Sequence, residues 1–145
     1  MIVFWFFLWT LCLYFVHRLA HAIPFIQTIH NDHHAFIANN TPPVWQWNNL
    51  LLFNDTWLST LDLWLTEVLP TIIFAWLTGQ WWIMVFYYFW AALLQERIEH
   101  NPQFDIFPIL PSGCWHLLHH DNCRVNFGPF VVIWDIIFGT YKCSQ

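Results

Sequence analysis

The chain has 145 residues, enough for one domain, and is 58% hydrophobic and 21% aromatic but only 9% charged. Twelve tryptophans and 15 phenylalanines are more than a soluble core of this size would hide, so lipid is the expected second solvent. The net charge of -5 carries no sign of a nucleic-acid partner, and the four basic residues form no patch, so none is expected.

Residues 2–16 (IVFWFFLWTLCLYFV) form an uncharged apolar run. At 1.5 Å per residue this run falls short of a ~30 Å hydrocarbon core. The helix is therefore expected to continue to about residue 20 and to carry the pair His17-Arg-Leu-Ala-His21 out at headgroup level. The run lacks a basic n-region and a small-residue cleavage site, so it reads as a retained helix and not as a signal peptide. Pro24 interrupts it, and the second group, His30-Asn-Asp-His33-His34, is expected on a helical turn or short helix over His30–Phe36. Residues 39–49 read as a loop, with Pro42-Pro43 as breaker and Trp45 and Trp47 as interfacial anchors.

The apolar stretch from Trp57 to Ile98 allows two readings: one crossing over 68–94, or a hairpin of helices 57–77 and 81–98 turning at Thr78-Gly79-Gln80. One crossing would put His100 and the last histidines across the membrane from the first two groups. The hairpin keeps them together and is the expectation. In the hairpin Arg18, Arg97, Arg124 and Lys142 all fall on the histidine side, which the positive-inside rule makes cytoplasmic. Asn39 and Asn54 match the glycosylation acceptor pattern and would stay unmodified on that face. Asp62 and Glu67 sit in the first turns of the second apolar helix, where acids favour the helix dipole.

Pro102, Pro108 and Pro111 make the next stretch irregular, and His116-Leu-Leu-His119-His120 is expected on a short helix capped near Ser112. The tail NFGPFVVIWDIIFGTYK reads as an interfacial amphipathic helix covering the site. The expected fold is one all-α integral membrane domain over 1–145. It has three membrane-embedded helices (2–20, 57–77, 81–98) and a helical cap on the cytoplasmic face that carries the histidines.

All nine histidines lie in these three groups or, as His100, between them. Residues three and four apart share a helix face, so each group aims two or three imidazoles at one point. Adjacent residues such as His33 and His34 diverge by about 100°, so one group can reach two ions. Nine imidazoles are too many for one metal and suit two. Neutral imidazole suits iron, zinc, copper and nickel. Cys12, Cys114, Cys123 and Cys143 show no CxxC spacing and read as unpaired thiols. The zinc-protease pattern HExxH is absent. A non-catalytic metal- or haem-binding membrane protein is the rival from another class, although histidines at helix ends crowd a porphyrin. A redox metal pair at a bilayer surface has a well-motivated use, the activation of O2 against an unreactive C–H bond of a lipid. Asp32, Asp121 and Glu99 read as surface charges or ligand-orienting acids. Asp135 and Asn126 read as groups that hydrogen-bond a ligand imidazole, with a cap or a salt bridge to Arg124 as the alternative for Asp135.

HRLAH, HNDHH and WHLLHH, followed by NFG and WDIIFGTY, resemble the fatty acid hydroxylase/sterol desaturase superfamily of membrane di-iron enzymes over about His17 to Tyr141. The resemblance implies an O2-dependent oxidoreductase that hydroxylates or desaturates a lipid such as a fatty acyl chain or sterol. It implies His17, His21, His30, His33, His34, His100, His116, His119 and His120 as ligands of two iron ions, which zinc can replace. It also implies electrons from a reductase through a b-type cytochrome or ferredoxin. The location it implies is a multi-pass one, in the endoplasmic reticulum of a eukaryote or the inner membrane of a bacterium. Carotenoid ring hydroxylases share the pattern and are the alternative within the class. Two departures stand out. Only 16 residues precede the first group, so the chain reads as a minimal core, a truncated sequence, or a subunit completed by homo-oligomerisation. Where fatty acid 2-hydroxylases have a further histidine pair, this sequence has Glu96-Arg-Ile-Glu-His100, with Glu96 in place of the first histidine.

Overall fold

A computed structural model describes the chain apart from Pro42, Asp55, residues 105–112, residues 143–145 and the side chain of Glu96. The described residues are helical and contain no strand. Helix α1 runs Ile2–Ala22 and α2 runs Pro24–Asn40. The first helix breaks before Pro24 as expected, with Ile23 extended, and Pro24 opens α2, since a proline at the first turn gives up only an N–H that would have had no helical partner. After a 3-10 turn at Trp47–Leu51, α3 (Trp57–Leu63) and α4 (Leu69–Thr78) are joined through a π-turn at Trp64–Val68. Likewise α5 (Trp82–Phe89) and α6 (Glu96–Ile98) are joined through a π-turn at Trp90–Gln95. Helices α7 (Cys114–Asp121) and α8 (Ile133–Ile137) follow among the described residues.

Among the described residues, two helices are long and apolar enough to cross a membrane: Ile2–Ala22, and the continuous Trp57–Thr78. At 1.5 Å per residue each is about 30 Å long. The reversal falls at Gly79, whose φ of 71° closes α4 in the left-handed region that favours glycine. The core below the histidines is aromatic. Trp9 is fully buried, donates through Nε1 to the Thr71 hydroxyl (3.0 Å), and lies 4.7 Å from the Phe130 ring. The indole thus buries its area and satisfies its one donor.

The first π-turn has a local cause. Pro70 has no N–H, and the chain widens just before it, with Leu69 N–H reaching back to the Trp64 carbonyl. In the second π-turn the Ala92 carbonyl accepts from the Trp45 indole (2.7 Å), which brings the 43–46 loop against the helix.

Three expectations change. Helix α2 is a 17-residue helix, not a short turn, because Asn39 and Asn40 donate to the carbonyls of Ala35 (2.6 Å) and Phe36 (2.8 Å) and carry the helix to its polar end. The loop expected from residue 39 accordingly starts after Asn40. The tail is not one amphipathic helix: only Ile133–Ile137 is helical, and residues 122–132 are turns and irregular chain. The expected cap near Ser112 lies outside the described residues.

Candidate metal centre

The last turns of α1 bring His17 and His21 to one face, and α2 lies against them. His30 and His34, four apart on α2, join His17, His21 and His119 in a group whose ligand atoms all lie within 4.8 Å of one another. His33 turns away from His34 and meets His100 and His120 in a second group with the same spacing. His116 stands beside it, its Nε2 3.2 Å from Nε2 of His120. Stacking of His34 on His120, with centroids 4.2 Å apart, joins the two groups. Each HxxHH segment therefore divides between both groups.

Hydrogen bonds on the far side of the rings fix the tautomers. His17 Nδ1 donates to the Phe127 carbonyl (2.8 Å), His119 Nδ1 to the Val125 carbonyl (2.7 Å), and His30 Nδ1 to the Asp62 carboxylate (2.9 Å). With Nδ1 carrying the proton, each Nε2 presents a lone pair. Yet Nε2 of His17 lies 3.2 Å from Nε2 of His30, His34 Nε2 lies 3.1 Å from His30 Nε2, and His21 Nε2 lies 3.0 Å from His119 Nε2. Between His17 and His30, both protonated on Nδ1, two lone pairs at that distance repel unless a cation sits between them. Metal–nitrogen bonds of about 2.0–2.1 Å at near-tetrahedral or octahedral angles place neighbouring nitrogens roughly 3 Å apart. The donor set therefore fits metal ions.

Electrostatics agree. Burial, and then the neighbouring imidazoles, hold His33, His116, His119 and His120 well below the ordinary histidine value of 6.5 and bring His34 to about 3. These imidazoles are neutral at pH 7, as metal ligation requires. The Cys123 thiol, raised by burial, stays protonated with Sγ 3.6 Å from His34 Nδ1. Cys123 thus packs against His34 from outside.

Asp135 and Asn126 serve the histidines through the backbone and not by touching a ring. Asp135 is fully buried and accepts from Phe127 N–H (2.7 Å), Gly128 N–H (2.8 Å) and the Thr140 hydroxyl (2.7 Å). It pins the peptide whose carbonyl orients His17. Asn126, with φ of 57°, donates to the carbonyls of Trp115 (3.0 Å) and Lys142 (2.9 Å) and accepts from Lys142 N–H (2.8 Å), tying the tail to α7. Gly128 is required by close approach: a Cβ there would lie 2.5 Å from the Val131 carbonyl oxygen and 2.8 Å from Asp135 Oδ2. Arg124, the alternative partner considered for Asp135, is exposed, whereas Asp135 is fully buried. The side chain of Glu96 lies outside the described residues.

Sequence reasoning passed over two acids. Asp62 and Glu67, expected as helix-dipole charges, line the cavity beneath the histidines, and Asp62 bonds His30 directly. A period of 3.6 would have put Asp62 on a face with Thr66, but no local signal pairs it with a histidine 32 residues earlier.

Residues 2–140 match the fatty acid hydroxylase family. The chain belongs to that family. Curated relatives of this fatty acid hydroxylase family member include a Delta(7)-sterol 5(6)-desaturase of Leptosphaeria maculans, 28% identical over 138 residues, which are 91% of this chain and 34% of that protein. A Delta(7)-sterol 5(6)-desaturase of Aspergillus fumigatus is 22% identical over 131 residues, 90% of this chain and 36% of that protein. A cholesterol 25-hydroxylase of Rattus norvegicus is 23% identical over 139 residues, 88% and 42% of the two chains. The chain thus spans about two fifths or less of the length of these relatives. Nothing in these comparisons supports the carotenoid alternative. No solved structure matches.

Proposed function

We propose that this chain is the metal-binding core of a membrane oxidoreductase that hydroxylates or desaturates a C–H bond of a lipid, a sterol or a fatty acyl chain. O2 is the oxidant, and electrons come from a reductase through a b-type cytochrome or ferredoxin. The observation that carries the reading is the set of facing Nε2 atoms 3.0–3.2 Å apart, with Nδ1 protons committed elsewhere on His17, His30 and His119.

His17, His21, His30, His34 and His119 would hold one ion, and His33, His100, His116 and His120 the other. When bound, two iron ions supply reductive activation of O2 to an oxidant strong enough for an unactivated C–H bond. Zinc can take their place during preparation, since the affinity order does not favour Fe²⁺. Eight imidazoles gathered in two groups argue against haem, which would take at most two of them.

The chain's own part is to keep the imidazoles neutral and aimed. The carbonyls of Val125 and Phe127 and the Asp62 carboxylate set ring orientation. The cavity at the histidines holds about 40 Å3, room for small molecules such as water or O2 but not a lipid, and its walls include Leu13, Leu63 and Pro129. The lipid's C–H bond is presented at the mouth of this cavity. In hydroxylation one oxygen atom enters the product, and the other leaves as water with two electrons and two protons from outside. In desaturation one hydrogen leaves each of two neighbouring carbons, and both oxygen atoms leave as water with the same two electrons and two protons from outside. The apolar helices 2–22, 57–78 and 82–98 lie in the bilayer, with the histidines at its cytoplasmic side.

Membranes of a host expressing the chain with a reductase system are expected to contain a lipid with one added oxygen or one added double bond, formed only in air. Lipid profiles indistinguishable from those of the empty host, with metal-loaded protein present, would refute the oxidoreductase reading.

A further inference from the structure

Beneath the histidines the same cavity is lined by three carboxylates, Asp62, Glu67 and Glu99, and by Gln95, and by no lysine or arginine among the described residues. Asp62 and Glu99 are 5% and 3% exposed. Glu67 accepts from the Tyr87 hydroxyl (3.1 Å) and from Gln95 Nε2 (3.0 and 3.2 Å), while Glu99 accepts from the Trp90 indole (3.2 Å). Gln95 is 7% exposed, and its Oε1 meets no donor among the described residues. The two π-turns supply this floor: Thr66 and Glu67 come from the first and Gln95 from the second. Widened turns of this kind recur at functional sites.

The chain's positive charges lie elsewhere. Arg97 sits over the Trp45 ring, Arg18 over Tyr14 and Phe127, and Arg124 and Lys142 are exposed. A low-dielectric cavity rich in carboxylate and amide oxygens favours cations. Two divalent ions bring positive charge that neutral imidazoles do nothing to offset.

We propose that Glu67 is a charge-balancing residue of the metal centre: from the cavity floor, without ligating, its carboxylate offsets charge of the ions held by the histidines. This rests on the two-metal reading above. Glu67 acts through the field and not through contact with substrate, so it is a positioning residue of the electrostatic kind. Loading the metals relieves the acids, and the acids tighten the metals.

The test uses the full chain in lipid nanodiscs, loaded with Fe²⁺ or with Zn²⁺, stripped by graded chelator, and melted in the metal-free state. Glu67→Gln keeps the shape and the acceptor for Tyr87, and its new amide can donate to Gln95 Oε1. This variant is expected to release metal at about tenfold lower chelator concentration, while its metal-free form melts no lower than metal-free wild type. Glu67→Asp, which keeps the charge, is expected to fall between the two. A merely structural Glu67 would lower the melting point of the metal-free form as well, and that result would overturn the inference. So would an unchanged metal affinity in Glu67→Gln, or a Glu67→Asp variant weaker than Glu67→Gln. Wild-type protein that takes up no metal would overturn the two-metal reading and this inference with it. A metal-binding wild type indifferent to Glu67→Gln would overturn this inference alone.

Discussion

His119→Ala is expected to reduce lipid product to background while the protein still inserts in the membrane. His119 is fully buried. Its Nδ1 is committed to the Val125 carbonyl, and its Nε2 faces His21 Nε2 at 3.0 Å. It is the contribution of α7 to the five-histidine group, where α1, α2 and α7 meet. Insertion depends on the apolar helices, which the substitution does not touch. Loss of a partner that merely orients a ligand costs about 10–100-fold, and loss of the ligand itself costs at least as much. Product per unit of membrane-inserted protein measures the effect. Activity within a fewfold of wild type would remove His119 from the site. His17, His21, His30, His33, His34, His116 and His120 carry the same expectation.

Asp135→Asn is expected to lose both metal and stability, although no atom of Asp135 bonds a histidine. The carboxylate accepts three donors at 2.7–2.8 Å in a fully buried place. An asparagine must turn its NH2 toward at least one of them, leaving a buried donor facing a buried donor. Each unsatisfied group costs about 1–3 kcal/mol. The peptide at Phe127 then shifts, and His17 loses the carbonyl that fixes its tautomer at 2.8 Å. Metal affinity is expected to fall roughly 10–100-fold and the melting temperature to drop. Burial lifts the Asp135 carboxyl above its ordinary 3.8, although the three donors pull the other way. An Asp135→Asn protein with wild-type metal affinity would show that the NFG peptide is held by other bonds.

The histidines were legible because their spacing is helical, and every one of the nine lies in or beside a helix that brings it to the cluster. The divergence of His33 from His34 follows from the same geometry, and the hairpin turning at Gly79 from the need to keep the histidine groups on one side. The positioning residues were legible in part. Asp135 was recognisable as a buried acid in a tail motif, but its work passes through the carbonyl of Phe127, and a sequence names side chains and not carbonyls. Asp62 and Glu67 were misread because their partners are remote in sequence and because the π-turn at Trp64–Val68 shifts the helix face midway. The length of α2 was underestimated because Asn39 and Asn40 read as loop formers, whereas their side chains bond the last turns of that helix. In the tail, apolar composition suggested a helix, but Asn126, Phe127 and Gly128 are committed to bonds that an α-helix would break.

Metal per chain is the most direct measure of the proposed two-ion site of nine histidines. Protein produced under iron-replete conditions, purified in lipid and assayed for iron plus zinc against amino-acid analysis is expected to contain two ions per chain. One ion per chain, or a haem absorption band that tracks the protein through purification, would contradict it.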